Sequence, residues 1–386
     1  VNCAATDNLG FSFVHSNVVN VQSIINGYYS CNQYNPAMPY DVSGYIAYSD
    51  AAPYIANGES IPLSFTYYDG ITTRVLNHRI KTTGPMSSFP PYTNDWYDEW
   101  SINIYGNAVW TATDNPSKNT YSISRNKLRI NKELHIHKGA SLSVSDMTIE
   151  FGPEGKIILE ADANTSDYGS LLVLTNTKLT AYRDCGNEGN MWEGVTVKGN
   201  ASKGQYAISP NGNGVDRYQG MLVMSGSEIS YAREAVRLWS ADDPNIGIAG
   251  NGGIVVANNS RFYNNRRSAE FMKYSYTDPG NPNMIYNNAS HFKECTFEVD
   301  GNYPGSDFWG FISGWAVRGL GIAGCSFKNS GYTGGPSRGI YGEDLGVSVG
   351  KSSVTNGTRS SFENLTVAVE NKYIGGPASL SVNKAI

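Results

Sequence analysis

A short phrase that ends in phenylalanine recurs along the second half of the chain and constrains the fold more than any other feature. Phe262, Phe297, Phe327 and Phe362 are separated by 35, 30 and 35 residues, and small and polar residues surround each of them. Periods of about 20–50 residues are typical of repeat proteins, in which each unit buries its apolar face against its neighbours. The sequence therefore predicts a stack of similar units.

The clearest unit is Gly253–Phe271, which reads GIVVANNSRFYNNRRSAEF. Its three short apolar segments are separated by Asn, Ser and Arg, a pattern that predicts strands and turns in quick succession. The absence of a helical pattern between them argues against leucine-rich and helical solenoids. We predict an all-β fold, a right-handed parallel β-helix with Phe stacked on Phe inside and Asn, Ser or Gly at the corners.

The repeat does not extend into the N-terminal third of the chain. Alternating apolar and polar runs such as Ser43–Ser49 and Ile61–Gly70 are typical of antiparallel strands with one solvated face. We predict a small β-rich N-terminal domain over residues 1–125 and the β-helix over 126–386. The last residues still read as a strand, and a solenoid needs its ends covered, so we expect the polypeptide to continue beyond Ile386.

Composition indicates the compartment and excludes some partners. Charged residues make up only 16% of the chain, whereas Gly occurs 42 times and Tyr 26 times. Low charge with abundant Gly, Asn, Ser, Thr and Tyr is typical of an extracellular β-protein. A chain that starts at Val1 reads as a processed secreted form or as a piece of a longer protein. A net charge of −5 without a basic stripe predicts no nucleic-acid partner, and no apolar run is long enough to predict a transmembrane segment.

The five cysteines are an odd number, so at least one lies outside any internal pair. Cys3 and Cys31 are the preferred disulfide, because that bond would tie down the N-terminus in an oxidising compartment. Cys295 and Cys325 stand in the matching contexts ECTF and GCSF. We interpret them as two small buried residues on adjacent coils, with a disulfide as the alternative.

Several phrases together resemble a known family. The runs VSDMTIEFGPEGKIILEADA, MWEGVTVKGN and SEISYAREAV, followed by the unit at Gly253–Phe271, resemble the pectate-lyase-like parallel β-helix region of large cell-surface proteins from bacteria that use type IX secretion. The resemblance covers roughly residues 127–370. It implies the fold, secretion and attachment to the cell surface. It brings no catalytic motif, and the C-terminal sorting domain of such proteins is not visible in this sequence.

Parallel β-helices also include polysaccharide lyases and glycoside hydrolases, so acidic and basic residues are candidate catalytic groups. Asp242 and Asp243 are adjacent carboxylates in the run ADDPN, where a structural turn is the favoured interpretation. Arg266 and Arg267 could supply the base of a lyase, but the neighbouring asparagines favour a solvated corner. An enzyme of either class stays as the alternative function.

Two histidines form a second candidate site. His135 and His137 in LHIHKG lie two residues apart and therefore on the same face of a strand. They could form a metal-binding pair, but the sequence near them offers no third ligand. We interpret both as polar residues of the strand face.

The segment Asp300–Trp315 interrupts the repeat with DGNYPGSDFWGFISGW. Flat aromatic rings beside hydrogen-bond acceptors are typical of sugar-binding surfaces, but the favoured interpretation is that the rings cap the loop against the solenoid. The candidate ligand-binding residues are Tyr303, Asp307, Phe308, Trp309 and Trp315. Calcium is conceivable at the Asp- and Asn-rich loop Asp278–Tyr286 or the Glu343–Asp344 corner, and no other cofactor is expected.

These observations favour a secreted, cell-surface β-helix module with a structural or adhesive role. Its expected partner is a surface glycan or another cell-surface protein. The alternative is a polysaccharide lyase or glycoside hydrolase built on the same fold.

Overall fold

The computed structural model describes the strands within residues 8–97, and beyond them residues 102–116, 126–162, 168–183, 189–205, 218–240, 250–278, 281–353, 357–375 and 379–382. These residues contain strands, turns and no α-helix. The chain divides into two units. The first comprises Val1–Trp96, Ser117–Ile123 and Arg183–Glu188, and the second comprises Tyr97–Pro116, Ser124–Tyr182 and Gly189–Ile386.

The first unit contains two antiparallel sheets, as the alternating runs predict. Their strands are β1 (Asn8–Val14), β2 (Asn20–Ile25), β3 (Tyr28–Tyr29), β4 (Asp41–Ala47), β5 (Ile61–Tyr68) and β6 (Thr73–Ile80). One sheet has the order β1-β4-β3 and the other the order β2-β5-β6. Cys3 and Cys31 lie outside the described residues, so the predicted disulfide stays a prediction.

The second unit is a parallel β-helix of three nine-stranded sheets, which confirms the predicted fold class. The first sheet contains β7 (Trp96–Tyr97), β10 (Lys127–Ile130), β13 (Thr148–Phe151), β16 (Lys178–Ala181), β19 (Glu228–Ser230), β22 (Arg261–Tyr263), β27 (Thr296–Val299), β30 (Ser326–Asn329) and β33 (Ser361–Glu363). The second contains β8 (Ile102–Ile104), β11 (Glu133–Ile136), β14 (Lys156–Leu159), β17 (Trp192–Val197), β20 (Ala232–Arg237), β23 (Arg267–Phe271), β28 (Gly310–Trp315), β31 (Arg338–Glu343) and β34 (Val367–Lys372). The third contains β9 (Asn107–Trp110), β12 (Ser141–Ser145), β15 (Leu171–Thr175), β18 (Met221–Ser225), β21 (Ile254–Asn258), β26 (His291–Lys293), β29 (Leu320–Ala323), β32 (Gly346–Gly350) and β35 (Ser379–Val382).

Each coil contributes one strand to each sheet in the order first, second, third, and the described residues form nine coils. Coil one is β7–β9 and coil nine is β33–β35. In coil six the antiparallel hairpin of β24 (Thr277–Asp278) and β25 (Asn281–Ile285) stands between the second and third sheets. Coil one falls within the residues that the sequence assigned to the N-terminal domain, because its first two strands contain only two and three residues and give no strand pattern.

The recurring phenylalanines form one column inside the β-helix. Phe262, Phe297, Phe327 and Phe362 pair in register across the first sheet. Their rings are parallel within 7° and their centroids are 4.9, 4.7 and 4.9 Å apart. Strands in a sheet are about 4.8 Å apart, so residues in the same register stack directly. The column confirms the predicted stacking of Phe on Phe.

A second column explains the small residue two positions before each phenylalanine. Every member of the column except Ser360 follows a one-residue corner between the third and first sheets, where the backbone has positive φ at Asn176, Gly226, Asn259, Glu294 and Gly324. Asn, Asp and Gly tolerate this conformation at low cost. The column itself contains Thr177, Ser227, Ser260, Cys295, Cys325 and Ser360, all buried. Cys295 and Cys325 are free thiols, which confirms that they are small core residues and not a disulfide.

The phrase MWEGVTVKGN also has a clear physical basis. Trp192 is fully buried, stacks on Phe151 with centroids 4.2 Å apart, and donates its indole N–H to the carbonyl oxygen of Ser230 at 2.9 Å. Gly194 has φ +103, and any side chain at this position would collide with the carbonyl oxygen of Glu234 on the next coil. Glycine therefore permits the close approach of β17 and β20 at a register shift.

Candidate functional site

The outer face of the second sheet carries a concentration of charged and aromatic side chains in coils five to eight, with one lysine from coil nine. Apolar residues such as Val236, Ala269 and Ile312 share one register and point into the core, so the neighbouring positions point outward. Arg237 pairs with Glu270 in the register, and Tyr341 pairs with Ser313. We call this surface the second-sheet stripe, which comprises Glu234, Arg237, Trp239, Arg267, Glu270, Trp309, Tyr341, Glu343 and Lys372.

The first part of the stripe links coil five to coil six. The Arg237 guanidinium forms an ion pair with Glu234 and lies 5.1 Å from the centroid of the Trp239 ring. The Trp239 indole N–H donates to Glu270 Oε2 at 2.7 Å. Trp239 is therefore held by a cation on its ring and by a carboxylate at its edge.

Arg267 and Glu270 form the centre of the stripe. The Arg267 guanidinium forms an ion pair with Glu270 and lies 4.2 Å from the centroid of the Trp309 ring. Burial lowers the pKa of Arg267 to about 10, so this side chain stays positively charged at neutral pH. The pairing of a buried cation with a buried carboxylate avoids the cost of an unpaired charge.

The stripe continues onto coils eight and nine through Tyr341. The Tyr341 ring meets Trp309 edge to face with centroids 5.1 Å apart, and Lys372 Nζ lies 5.2 Å from the Tyr341 centroid. The Tyr341 hydroxyl donates to Glu343 Oε1 at 2.6 Å, and this bond raises the pKa of Tyr341. The aromatic rings of the stripe are thus fixed by a cation and by a hydrogen bond or a neighbouring ring.

The structure divides the five predicted ligand-binding residues into two groups. Tyr303 and Phe308 are buried and pack edge to face against each other and against Tyr332. They hold the loop to the solenoid and present no ring face to a ligand. Trp309 is half-buried within the stripe, and the exposed Trp315 stands in register with Glu343 at its edge.

Asp307 fixes the loop from outside. Its carboxylate accepts a hydrogen bond from the Tyr303 hydroxyl at 2.9 Å and pairs with Arg266 Nε at 2.8 Å. Burial and this carboxylate raise the pKa of Tyr303, which stays neutral. Arg266 is therefore engaged in an ion pair that anchors the loop.

Other predicted site residues have structural roles or lie outside the described residues. Asp344 is buried with φ 51, and its Oδ1 accepts hydrogen bonds from the backbone N–H groups of Ile374 and Gly375. Such a carboxylate caps a turn of the next coil. Asp242 and Asp243 fall outside the described residues, as does the side chain of Asp278, and calcium binding stays a prediction.

Sequence reasoning did not find Trp239, Glu270 or Tyr341. Tyr341 contacts Trp309, and Trp239 is linked to it through Glu270 and Arg267, only because the sheet aligns β20, β23, β28 and β31. The loops between these strands differ in length. A fixed residue spacing therefore does not connect them. The one signal available was the alternation of apolar and polar residues in each strand, which marks the outward positions without pairing them.

Comparison of the chain with protein-family models, with curated proteins and with solved structures finds no match in any of the three. Among the residues that the structure describes, no helix has the length and apolar character needed to cross a bilayer. The function is therefore inferred from the chemistry of the surface.

Proposed function

We propose that the protein is a secreted, cell-surface β-helix module whose second-sheet stripe binds a glycan. The observation that carries the proposal is the succession of half-buried rings, Trp239, Trp309 and Tyr341, along one face of one sheet. The apolar face of a pyranose packs against aromatic rings, and its hydroxyl groups bond with nearby carboxylates and guanidinium groups. The stripe offers both kinds of group at neighbouring positions.

The charge of the stripe favours a neutral glycan. Glu234, Glu270 and Glu343 are matched by the cations Arg237, Arg267 and Lys372. An acidic polysaccharide would meet these carboxylates as well as the cations and would gain little from the surface as a whole. Secretion and attachment to the cell surface are part of the proposal and draw support from the composition and from the family resemblance.

A binding role fits the contacts better than catalysis does. Glu270 already accepts the Trp239 indole N–H and pairs with Arg267, and Glu234 pairs with Arg237. A general base needs a lone pair, and a general acid needs a proton, that is available to the substrate. These carboxylates are instead engaged in ion pairs and a hydrogen bond within the stripe.

Glycan binding is tested with a polysaccharide array followed by affinity measurement on the neutral glycan that binds best. We expect Trp309→Ala to bind about tenfold more weakly than the wild type, because one stacking contact is lost. The control is Tyr168→Ala, which removes an exposed aromatic ring of the β-helix outside the stripe. Equal affinity of wild type and Trp309→Ala would place glycan binding outside the stripe and overturn the proposal. No binding to any glycan would also overturn it and leave a purely architectural module.

The alternative of a polysaccharide lyase or glycoside hydrolase rests on the same groups. Arg267 has a lowered pKa and lies beside the carboxylate of Glu270. Incubation with neutral and acidic polysaccharides distinguishes the two functions. Release of reducing or unsaturated ends by the wild type, with loss of that release in Glu270→Gln, would establish the enzyme and contradict a purely binding role.

A further inference from the structure

A second polar cluster lies on the same sheet but at the opposite end of the β-helix, in coils one to three. His135 and His137 point outward from coil two. Leu134, which precedes His135, and Ile136, which lies between the two histidines, point into the core. Glu160 follows β14 on coil three, at the position in register with His137. We call His135, His137 and Glu160 the His–Glu cluster.

The cluster brings three potential ligand atoms together. His135 Nε2 lies 2.9 Å from Glu160 Oε1, and His137 Nδ1 lies 3.6 Å from Glu160 Oε2. Ligand atoms of all three side chains lie within 4.8 Å of one another. Two ligands about 2.05 Å from a tetrahedral ion are about 3.3 Å apart, and the two measured distances lie on either side of that value. Small rotations of the carboxylate and of the two imidazole rings would therefore bring the three side chains to the spacing that a tetrahedral ion requires.

The other nitrogen of each imidazole has its own acceptor. His135 Nδ1 lies 3.0 Å from Glu133 Oε1, and His137 Nε2 lies 2.8 Å from Asn103 Oδ1. Metal-binding histidines characteristically donate their second N–H to a carboxylate or another oxygen, which selects the tautomer and orients the ring. This arrangement leaves the nitrogens that face Glu160 to bind an ion, which would replace the hydrogen bond between His135 Nε2 and Glu160 Oε1.

Stacking further restrains the two rings. The His135 and His137 rings are stacked with centroids 4.1 Å apart, and Tyr105 stacks on His137 at 4.2 Å. The histidine and glutamate side chains are 17%, 23% and 27% exposed, so an ion can reach them from solvent. The site is thus oriented by its surroundings and open on one side.

We propose that His135, His137 and Glu160 form a binding site for a divalent first-row transition metal ion, with Zn²⁺ as the best fit. Two imidazoles and one carboxylate form a ligand set that Zn²⁺ uses when a fourth position is left to water or another ligand. Ca²⁺ and Mg²⁺ prefer oxygen ligands and do not match this set. The third ligand that the sequence did not reveal is supplied by the neighbouring coil.

The proposal is tested on the whole chain by titration with Zn²⁺ and, separately, with Ca²⁺ in a calorimeter. We expect the wild type to bind one more Zn²⁺ ion than the double variant His135→Ala/His137→Ala, and Ca²⁺ not to compete at this site. Glu160→Gln should weaken that site by at least about tenfold, and the positioning variant Glu133→Gln by about 10–100-fold. The control is His291→Ala, which removes an exposed histidine of the third sheet and should leave the stoichiometry unchanged.

Far-UV circular dichroism and thermal unfolding of each variant without metal establish that the fold is intact. The tetrahedral Co²⁺ absorption bands give a second readout, which should appear with the wild type and disappear in the double variant. The same Zn²⁺ stoichiometry in the wild type and the double variant would overturn the proposal and leave the cluster as a hydrogen-bonded network.

Discussion

Cys295 Sγ and Ser260 Oγ make the same hydrogen bond on consecutive coils, each to the backbone carbonyl two residues earlier in the chain, at 3.4 Å and 2.8 Å respectively. The thiol and the hydroxyl therefore stabilise the corner between the third and first sheets in the same way. Ser227 repeats the bond on the preceding coil at 3.0 Å. The column of small residues before the phenylalanines therefore requires a small side chain with one hydrogen-bond donor, and this donor is either a thiol or a hydroxyl group.

Replacement of Cys295 by serine should accordingly be well tolerated. We expect Cys295→Ser to change the free energy of unfolding by less than about 1 kcal/mol, because the corner hydrogen bond is kept. Cys295→Leu should destabilise by about 1–3 kcal/mol, because extra methyl groups overfill a packed column. Denaturant unfolding measures both, and equal losses for the two variants would show that the thiol itself matters.

The phenylalanine column should be sensitive at its centre. Phe297 is fully buried between Phe262 and Phe327, so we expect Phe297→Ala to lower the free energy of unfolding by about 3–5 kcal/mol through lost burial and the cavity left behind. Phe362 is only partly buried and provides the control, since Phe362→Ala should cost clearly less. Similar costs at both positions would contradict the assignment of the column as the main core.

Asn265 is expected to be the most sensitive of the corner asparagines. Its buried side chain accepts the Ala232 N–H at 2.8 Å and donates to the Ile229 carbonyl at 2.9 Å. Asn265→Ala leaves both backbone groups without this partner, and each such loss costs roughly 1–3 kcal/mol. Asn283→Ala, at an exposed position of the hairpin, should change the unfolding midpoint little by comparison.

The hydrogen bonds to the Asp300 carboxylate lead us to expect that the free energy of unfolding decreases at acidic pH. Burial alone would raise the pKa of this carboxyl, but hydrogen bonds from Tyr263, Asn264 and Asn302 outweigh it and the pKa is lowered. A lowered pKa in the folded state stabilises above the unfolded-state pKa of about 3.9, and that contribution disappears as pH falls through the lower folded-state value.

The measurement is urea unfolding of wild type and Asp300→Asn at a series of pH values from neutral to about pH 3. We expect the wild type to be the more stable at neutral pH and the difference to shrink over the acidic end of the series. A difference that stays constant with pH would show that the hydrogen bonds to Asp300 do not depend on its charge.

The sequence was sufficient to predict the parts of the fold in which equivalent residues of successive coils pair in register. Phe262 pairs with Phe297 and Phe297 with Phe327 as their spacing predicts, because residues inside a coil face the same neighbours on every turn. The cysteines followed from the same argument. Each of these predictions depends only on local pattern and on the period.

The surface sites depend on which strands the sheets align, and this the sequence did not reveal. Glu160 stands 23 residues after His137 and contacts it only because the two residues lie in register on adjacent coils. Gln219 is buried and its amide N–H groups donate to the carbonyls of Asn200 and Lys203 at 3.0 Å, although no apolar or polar pattern marks this glutamine. The first two strands of coil one contain only two and three residues, too few to give an alternating pattern.

The distances within the phenylalanine column have one more consequence. The centroids are 4.9, 4.7 and 4.9 Å apart although 35, 30 and 35 residues separate them in the chain. The ring spacing is commensurate with the backbone repeat of about 4.8 Å, so mismatch does not accumulate from coil to coil. Residues added to or removed from a loop between strands are absorbed at the surface, and the interior keeps its pitch. The surface chemistry of this β-helix can therefore vary while its interior stays periodic.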